Sequence, residues 1–161
     1  MTPVEKIRFD DFDRLALLTK EPFGDWGHER TISQEMVNEF AGLSGDHQWI
    51  HVDPVRAREE GPFGAAVAHG MLVLSFIPSI LPANKWAIDG HGAALNYGSD
   101  GIRFVSPVLV GDRIHARARL ADATQHPKGS MITIETAVHV VGKEKPAMTY
   151  RAQVLYLPRA K

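Results

Sequence analysis

Hydropathy alternates with a period of two, three times in succession, through the C-terminal half of the chain. This limits the fold more than any other feature. Ile114, Ala116, Ala118 and Leu120 alternate with His115, Arg117, Arg119 and Ala121. Ile132, Ile134, Thr136 and Val138 alternate with Thr133, Glu135, Ala137 and His139, and Met148, Tyr150, Ala152, Val154 and Tyr156 repeat the pattern. Successive strand residues point to opposite faces, so each run reads as a strand with one buried face. Joined by Gly- and Pro-containing turns, the three form an antiparallel meander. Two further strands are expected over residues 91–97 and 101–105.

The N-terminal half is patterned for helix. Phe12, Leu15, Ala16 and Leu18 line one face of a short helix after Asp10-Asp11, and Glu21-Pro22-Phe23-Gly24 reads as a turn. Either Thr31 or Ser33 can cap a second helix, in which Met36, Val37, Phe40 and Ala41 recur at helical spacing before Gly42 and Gly45 end it. A third helix, over residues 70–81, is apolar nearly all round and is expected to be buried, with Pro78 marking a kink or its last turn. Helices followed by a long antiparallel sheet predict an α+β fold in which the sheet wraps around the apolar helix. Without repeats, low-complexity tracts or linkers, the 161 residues read as one domain, 1–161.

Composition removes several function classes. Eighteen basic against 19 acidic residues give a net charge of −1, which excludes the broad positive footprint of a nucleic-acid binder and any polybasic pull toward membranes. With no cysteine, thiolate catalysis, disulfides and iron–sulfur clusters are excluded. The longest apolar tract, residues 65–81, is broken by His69, Gly70 and Pro78 and is too short to span a bilayer. The acidic N-terminus is unlike a signal peptide, so a soluble, cytoplasmic protein is expected.

Familiar catalytic devices are missing. There is no GxSxG elbow, no Walker lysine and no HExxH, and the glycine pattern from Gly90 ends in Leu95. His47 and His51 are four apart but have no evident third ligand, so no metal is expected. Polar chemistry concentrates in Ser44-Gly45-Asp46-His47-Gln48-Trp49-Ile50-His51-Val52-Asp53-Pro54, just past a helix end. Asp46 and His51 offer a proton acceptor and a group that relays protons near neutrality. Read from the residues alone, an N-cap or Asx-turn at Asp46 and a surface histidine at His51 are the plainer account, and Gln48 closes the loop. In the second dense stretch, Gly61 to Met71, a glycine enters the apolar helix behind His69. Gly70 is either an oxyanion donor at a helix start or a packing residue.

Together these stretches resemble the MaoC-like branch of the hotdog superfamily, which contains the (R)-specific enoyl-CoA hydratases. The resemblance is carried by Phe40-Ala41-Gly42-Leu43-Ser44-Gly45-Asp46-His47-Gln48-Trp49-Ile50-His51, then Val52-Asp53-Pro54, Phe63-Gly64, Ala68-His69-Gly70-Met71, Asn96-Tyr97-Gly98 and Val105-Ser106-Pro107-Val108 with Gly111, across residues 26–157. Gln48-Trp49 stands where the best-known hydratases carry Asn-Pro; the GDHQWIH form resembles a subgroup that includes nodulation-protein-N-like sequences.

The resemblance implies a hotdog fold, a homodimer paired through its sheets, and hydration of a trans-2-enoyl-CoA to an (R)-3-hydroxyacyl-CoA. It implies Asp46 as base, His51 orienting water and delivering a proton to Cα, the Gly70 N–H on the thioester oxygen, and Gln48 at the substrate. No cofactor is implied; coenzyme A is the substrate's handle, with Arg56, Arg58 and Arg103 either at its phosphates or simply solvated. A hotdog thioesterase and a non-catalytic acyl-CoA-binding or signalling protein are the alternatives, because fold alone does not decide activity.

Overall fold

A computed structural model describes residues 4–83 and 85–160. In chain order the elements are β1 (Glu5–Arg8), α1 (Phe12–Leu18), β2 (Arg30–Thr31), α2 (Gln34–Ser44), α3 (Trp49–Val52), α4 (Pro54–Glu59), α5 (Gly70–Ser75), α6 (Ile77–Ile80), β3 (Trp86–Asp89), β4 (Ala93–Phe104), β5 (Arg113–His126), β6 (Gly129–Val140) and β7 (Met148–Leu157). Each alternating run is a strand. Together with β2 and β4 they form a five-stranded, wholly antiparallel curled sheet in the order β2-β5-β6-β7-β4. The fold is α+β, as the pattern predicts.

Two expected strands, residues 91–97 and 101–105, are one. β4 runs unbroken against β7 but carries two bulges, between Asn96 and Gly98 and between Ser99 and Gly101. Each inserted residue shifts the inside–outside alternation by one, so a continuous strand reads in sequence as two. The helix expected over residues 70–81 is instead two short ones meeting at Phe76. Pro78 has no N–H to give the Leu74 carbonyl and its ring crowds that turn. The chain tightens there, with Phe76 N–H donating to Val73 O at 3.2 Å and Ser79 N–H to Phe76 O at 2.9 Å.

Of the two candidate caps for α2, Ser33 is the one used: its Oγ accepts from the Met36 N–H at 3.2 Å, while Thr31 lies in β2. Gly45 ends the helix at φ 78°, a left-handed turn that glycine adopts without a Cβ penalty. The buried face of the sheet holds two clusters. Leu72, Val73 and Ile80 of α5 and α6 pack with Val37 against Ile114, Val138 and Met148. Farther along the strands, Leu120 and Ile132 meet Leu15, Leu18 and Ile7. The second cluster rests on a parallel pair the period-2 runs did not reveal, residues 5–8 with 86–89. Among the described residues no helix is long and apolar enough to cross a membrane.

Candidate active site

The site grows out of the end of α2. The left-handed Gly45 turns the chain back, and Asp46 follows in an open loop where its Oδ1 accepts the Gln48 N–H at 3.3 Å. Its carboxylate stays exposed. Gln48 is the residue before α3; its main chain closes the Asx-turn, and its side chain makes no capping bond. The single turn of α3 then carries His51 inward to 8% exposure.

His51 is held at both ends. Its carbonyl accepts from Gln34 Nε2 at 2.8 Å, and its ring Nδ1 lies 2.5 Å from the Val67 carbonyl. A carbonyl only accepts, so Nδ1 carries the hydrogen and Nε2 is left as the free nitrogen. The 66–68 segment is in turn pinned between the loop and the main chain before β5. The Val67 N–H donates to Ile50 O at 3.0 Å, Ala68 N–H to Val108 O at 2.8 Å and Val110 N–H to Ala66 O at 2.9 Å.

That segment leads directly into Gly70, the first residue of α5, whose N–H has no partner within the helix. His51 and Gly70 both line a cavity of about 450 Å³ whose other walls are almost entirely apolar, with Phe63, Val67, Met71, Phe104, Val108 and Met148 among them. Asp46 stands at the His51 side of this arrangement and is not in the cavity wall. The α5 helix has six residues, so the Gly70 N–H acts as a single aimed donor more than as the end of a long dipole.

His47 takes no part, but Asp46, His51 and His69 each present one ligand-type atom within 4.8 Å of the others. His69, 18 positions past His51 in sequence, is thus the residue that joins Asp46 and His51. Sequence reasoning used His69 only to mark the helix entrance. The available signal was a lone histidine inside the longest apolar tract, because a buried imidazole must find a polar partner. Trp49 lies outside the cavity wall, under the Arg56 guanidinium at 4.4 Å, and Arg56 also pairs with Glu60.

A family model described as the MaoC like domain matches residues 24–144. The chain belongs to the MaoC-like family. It is 41% identical over 152 residues to the 3-hydroxyacyl-thioester dehydratase Z of Mycobacterium tuberculosis, covering 92% of this chain and 97% of that protein. Nodulation protein N of Rhizobium meliloti is 40% identical over 120 residues, 74% of each chain. Among solved structures, a monoamine oxidase regulatory protein from Archaeoglobus superposes with a TM-score of 0.69 at 25% identity, over 89% of this chain and 95% of that one. The MaoC-like, hotdog-type fold is thus seen in sequence and in shape. With such a relative matched along nearly its whole length, the chain is a hydro-lyase of the 3-hydroxyacyl-thioester dehydratase kind.

Proposed function

We propose that this chain reversibly adds water across the C2=C3 bond of a trans-2-enoyl-CoA, giving the (R)-3-hydroxyacyl-CoA, with Asp46 and His51 as its acid–base pair. The observation that carries this is the meeting of His51 and Gly70 on an apolar cavity, with Asp46 beside them.

The apolar walls take the acyl chain, and the Gly70 N–H donates to the thioester oxygen. The Asp46 carboxylate takes a proton from water as its oxygen bonds to C3. The C2=C3 electron pair moves toward the thioester, and negative charge builds on the oxygen facing Gly70. Removing a donor of that kind typically costs about 3–4 kcal/mol of transition-state stabilisation. His51, fixed through Nδ1 to Val67, accepts a hydrogen bond from the water at its bare Nε2 and so orients it; the proton taken up by Asp46 is then relayed through that nitrogen to C2, which leaves both residues as they began. Gln48 follows Asp46 by two residues and its exposed amide is free of any capping bond, so in this reading it assists in placing substrate.

Two copies working as a homodimer complete the reading. β4 is a twelve-residue edge strand with Leu95, Tyr97 and Phe104 exposed, and an open apolar edge of that length invites a second strand.

The test is hydration of crotonyl-CoA followed by loss of the enoyl absorbance, with chiral analysis of the product and the same acyl group offered on an acyl carrier protein. Formation of (R)-3-hydroxybutyryl-CoA is the expected result. Release of free thiol without hydration would overturn it in favour of a thioesterase, and activity on the carrier protein alone would overturn the CoA assignment.

A further inference from the structure

Resting on that hydratase reading, we propose that His69 is a positioning residue: a single buried imidazole holds the Asp46 loop and the His51 ring in register. His69 is 3% exposed and sits immediately before Gly70, yet its side chain makes no capping bond to α5. Its Nε2 lies 2.9 Å from the Asp46 carbonyl, 23 residues earlier in the chain. Because a carbonyl only accepts, Nε2 bears the hydrogen and Nδ1 is left as an acceptor. That Nδ1 is buried with no partner.

Packing alone does not call for such a residue. A leucine or phenylalanine would occupy the place without burying an unpaired nitrogen. What an imidazole adds is reach and a flat face. One face lies against His51, ring centroids 3.9 Å apart and planes inclined by 28°, and the Phe40 ring stands 5.0 Å away. His51 is thus held through Nδ1 by Val67 and across its plane by His69. The His69 carbonyl also accepts from the Val73 N–H at 3.1 Å, which sets the first turn of α5 and with it Gly70. One residue therefore connects all three elements of the proposed site. Asp46 sits in an exposed loop with few other restraints, so the His69 hydrogen bond is the tie that places it.

The two carboxamide replacements separate this role from mere bulk. In His69→Gln the amide nitrogen reaches about as far from Cα as imidazole Nε2, whereas in His69→Asn it stops where Nδ1 stood. Small displacements of a catalytic group can cost ~10²-fold. The expected result is a kcat for crotonyl-CoA lowered roughly 10- to 10²-fold in His69→Asn at nearly unchanged KM, and largely recovered in His69→Gln. An Asn variant with wild-type kcat, or a Gln variant no better than Asn, overturns the proposal. A measurement on the unaltered protein stands beside these and needs no variant to fold: ring 15N shifts should show His69 protonated at Nε2. A hydrogen on Nδ1 overturns the proposal. Wild type and Asp46→Asn serve as controls. A wild type without hydratase activity removes the functional reading and this proposal with it. An active wild type, an inactive Asp46→Asn and an unimpaired His69→Asn remove the positioning role alone.

Discussion

The Phe104 ring lies over Gly70 so closely that a Cβ added there would meet three of its ring atoms at 2.7 to 3.0 Å. Phe104 is about half exposed, at the end of β4, so it can swing aside at small cost. Gly70→Ala keeps the N–H in place and displaces a wall of the cavity. The loss should therefore appear as a raised KM more than as a lowered kcat, with little change in Tm. Adding Phe104→Ala should restore KM, and a double-mutant cycle with no coupling would show that the ring does not transmit the effect.

Asp46→Asn and His51→Ala remove the proposed base and its partner. General acid–base groups contribute ~10²–10⁴-fold, so kcat for crotonyl-CoA should drop by that order in each. Asp46 is exposed and makes few contacts through its side chain, so Asp46→Asn should fold normally. Acting on one water, the pair should be non-additive: the double variant should lie close to the weaker single one. Steady-state kinetics with crotonyl-CoA checks all three, and a near-wild-type Asp46→Asn ends the assignment.

The sheet was legible because its alternation is long and regular, and the helix caps because their chemistry is local. What sequence did not reveal lies where one residue changes the count or where partners are distant. Two bulges around Gly98 and Gly101 divide β4 in sequence but not in space. Pro78 announced a kink, and the structure places the break at Phe76. His69 reaches a carbonyl 23 positions back, which no spacing rule connects. The parallel contact of β1 with β3 pairs residues 81 positions apart, Glu5 with Trp86, and leaves no periodic trace in two such short strands.

β4 presents its open edge with Leu95 and Tyr97 exposed, at 47% and 58%. If that edge pairs with a second copy, placing charge on it should separate the copies, since like charges facing across paired strands repel. Leu95→Lys with Tyr97→Lys should shift sedimentation from dimer to monomer at micromolar concentration. A wild type that sediments as a monomer would dispose of the homodimer.

Gly27 has no room for a side chain. A Cβ there would stand 2.0 to 2.6 Å from main-chain atoms of Ile80, Leu81 and Pro82, while its own N–H donates to Ala116 O at 2.8 Å. None of these three neighbours is a movable side chain, so the Gly27 segment must lift off β5 or the end of α6 must shift. Overpacking of this kind costs about 1–3 kcal/mol. Gly27→Ala should lower the urea midpoint with the slope unchanged, and an unchanged midpoint would contradict the close approach.

His115 stacks on Trp26 with ring centroids 3.9 Å apart and planes within 5°, directly across the β5–β6 ladder from His139. Burial first, and then the neighbouring His139, push its pKa below the ordinary 6.5; Glu29 pulls upward and Arg117 adds to the lowering. In the unfolded chain the imidazole takes its proton at the ordinary value, so below about 6.5 the unfolded state binds more protons than the folded one. The contribution of His115 is therefore complete above that pH and is lost as pH falls toward the lowered folded value. Thermal unfolding followed by tryptophan fluorescence should show Tm declining on the acid side of neutrality. In His115→Gln, which cannot titrate, that decline should be shallower. The same acid slope in His115→Gln as in wild type would assign the effect to another group.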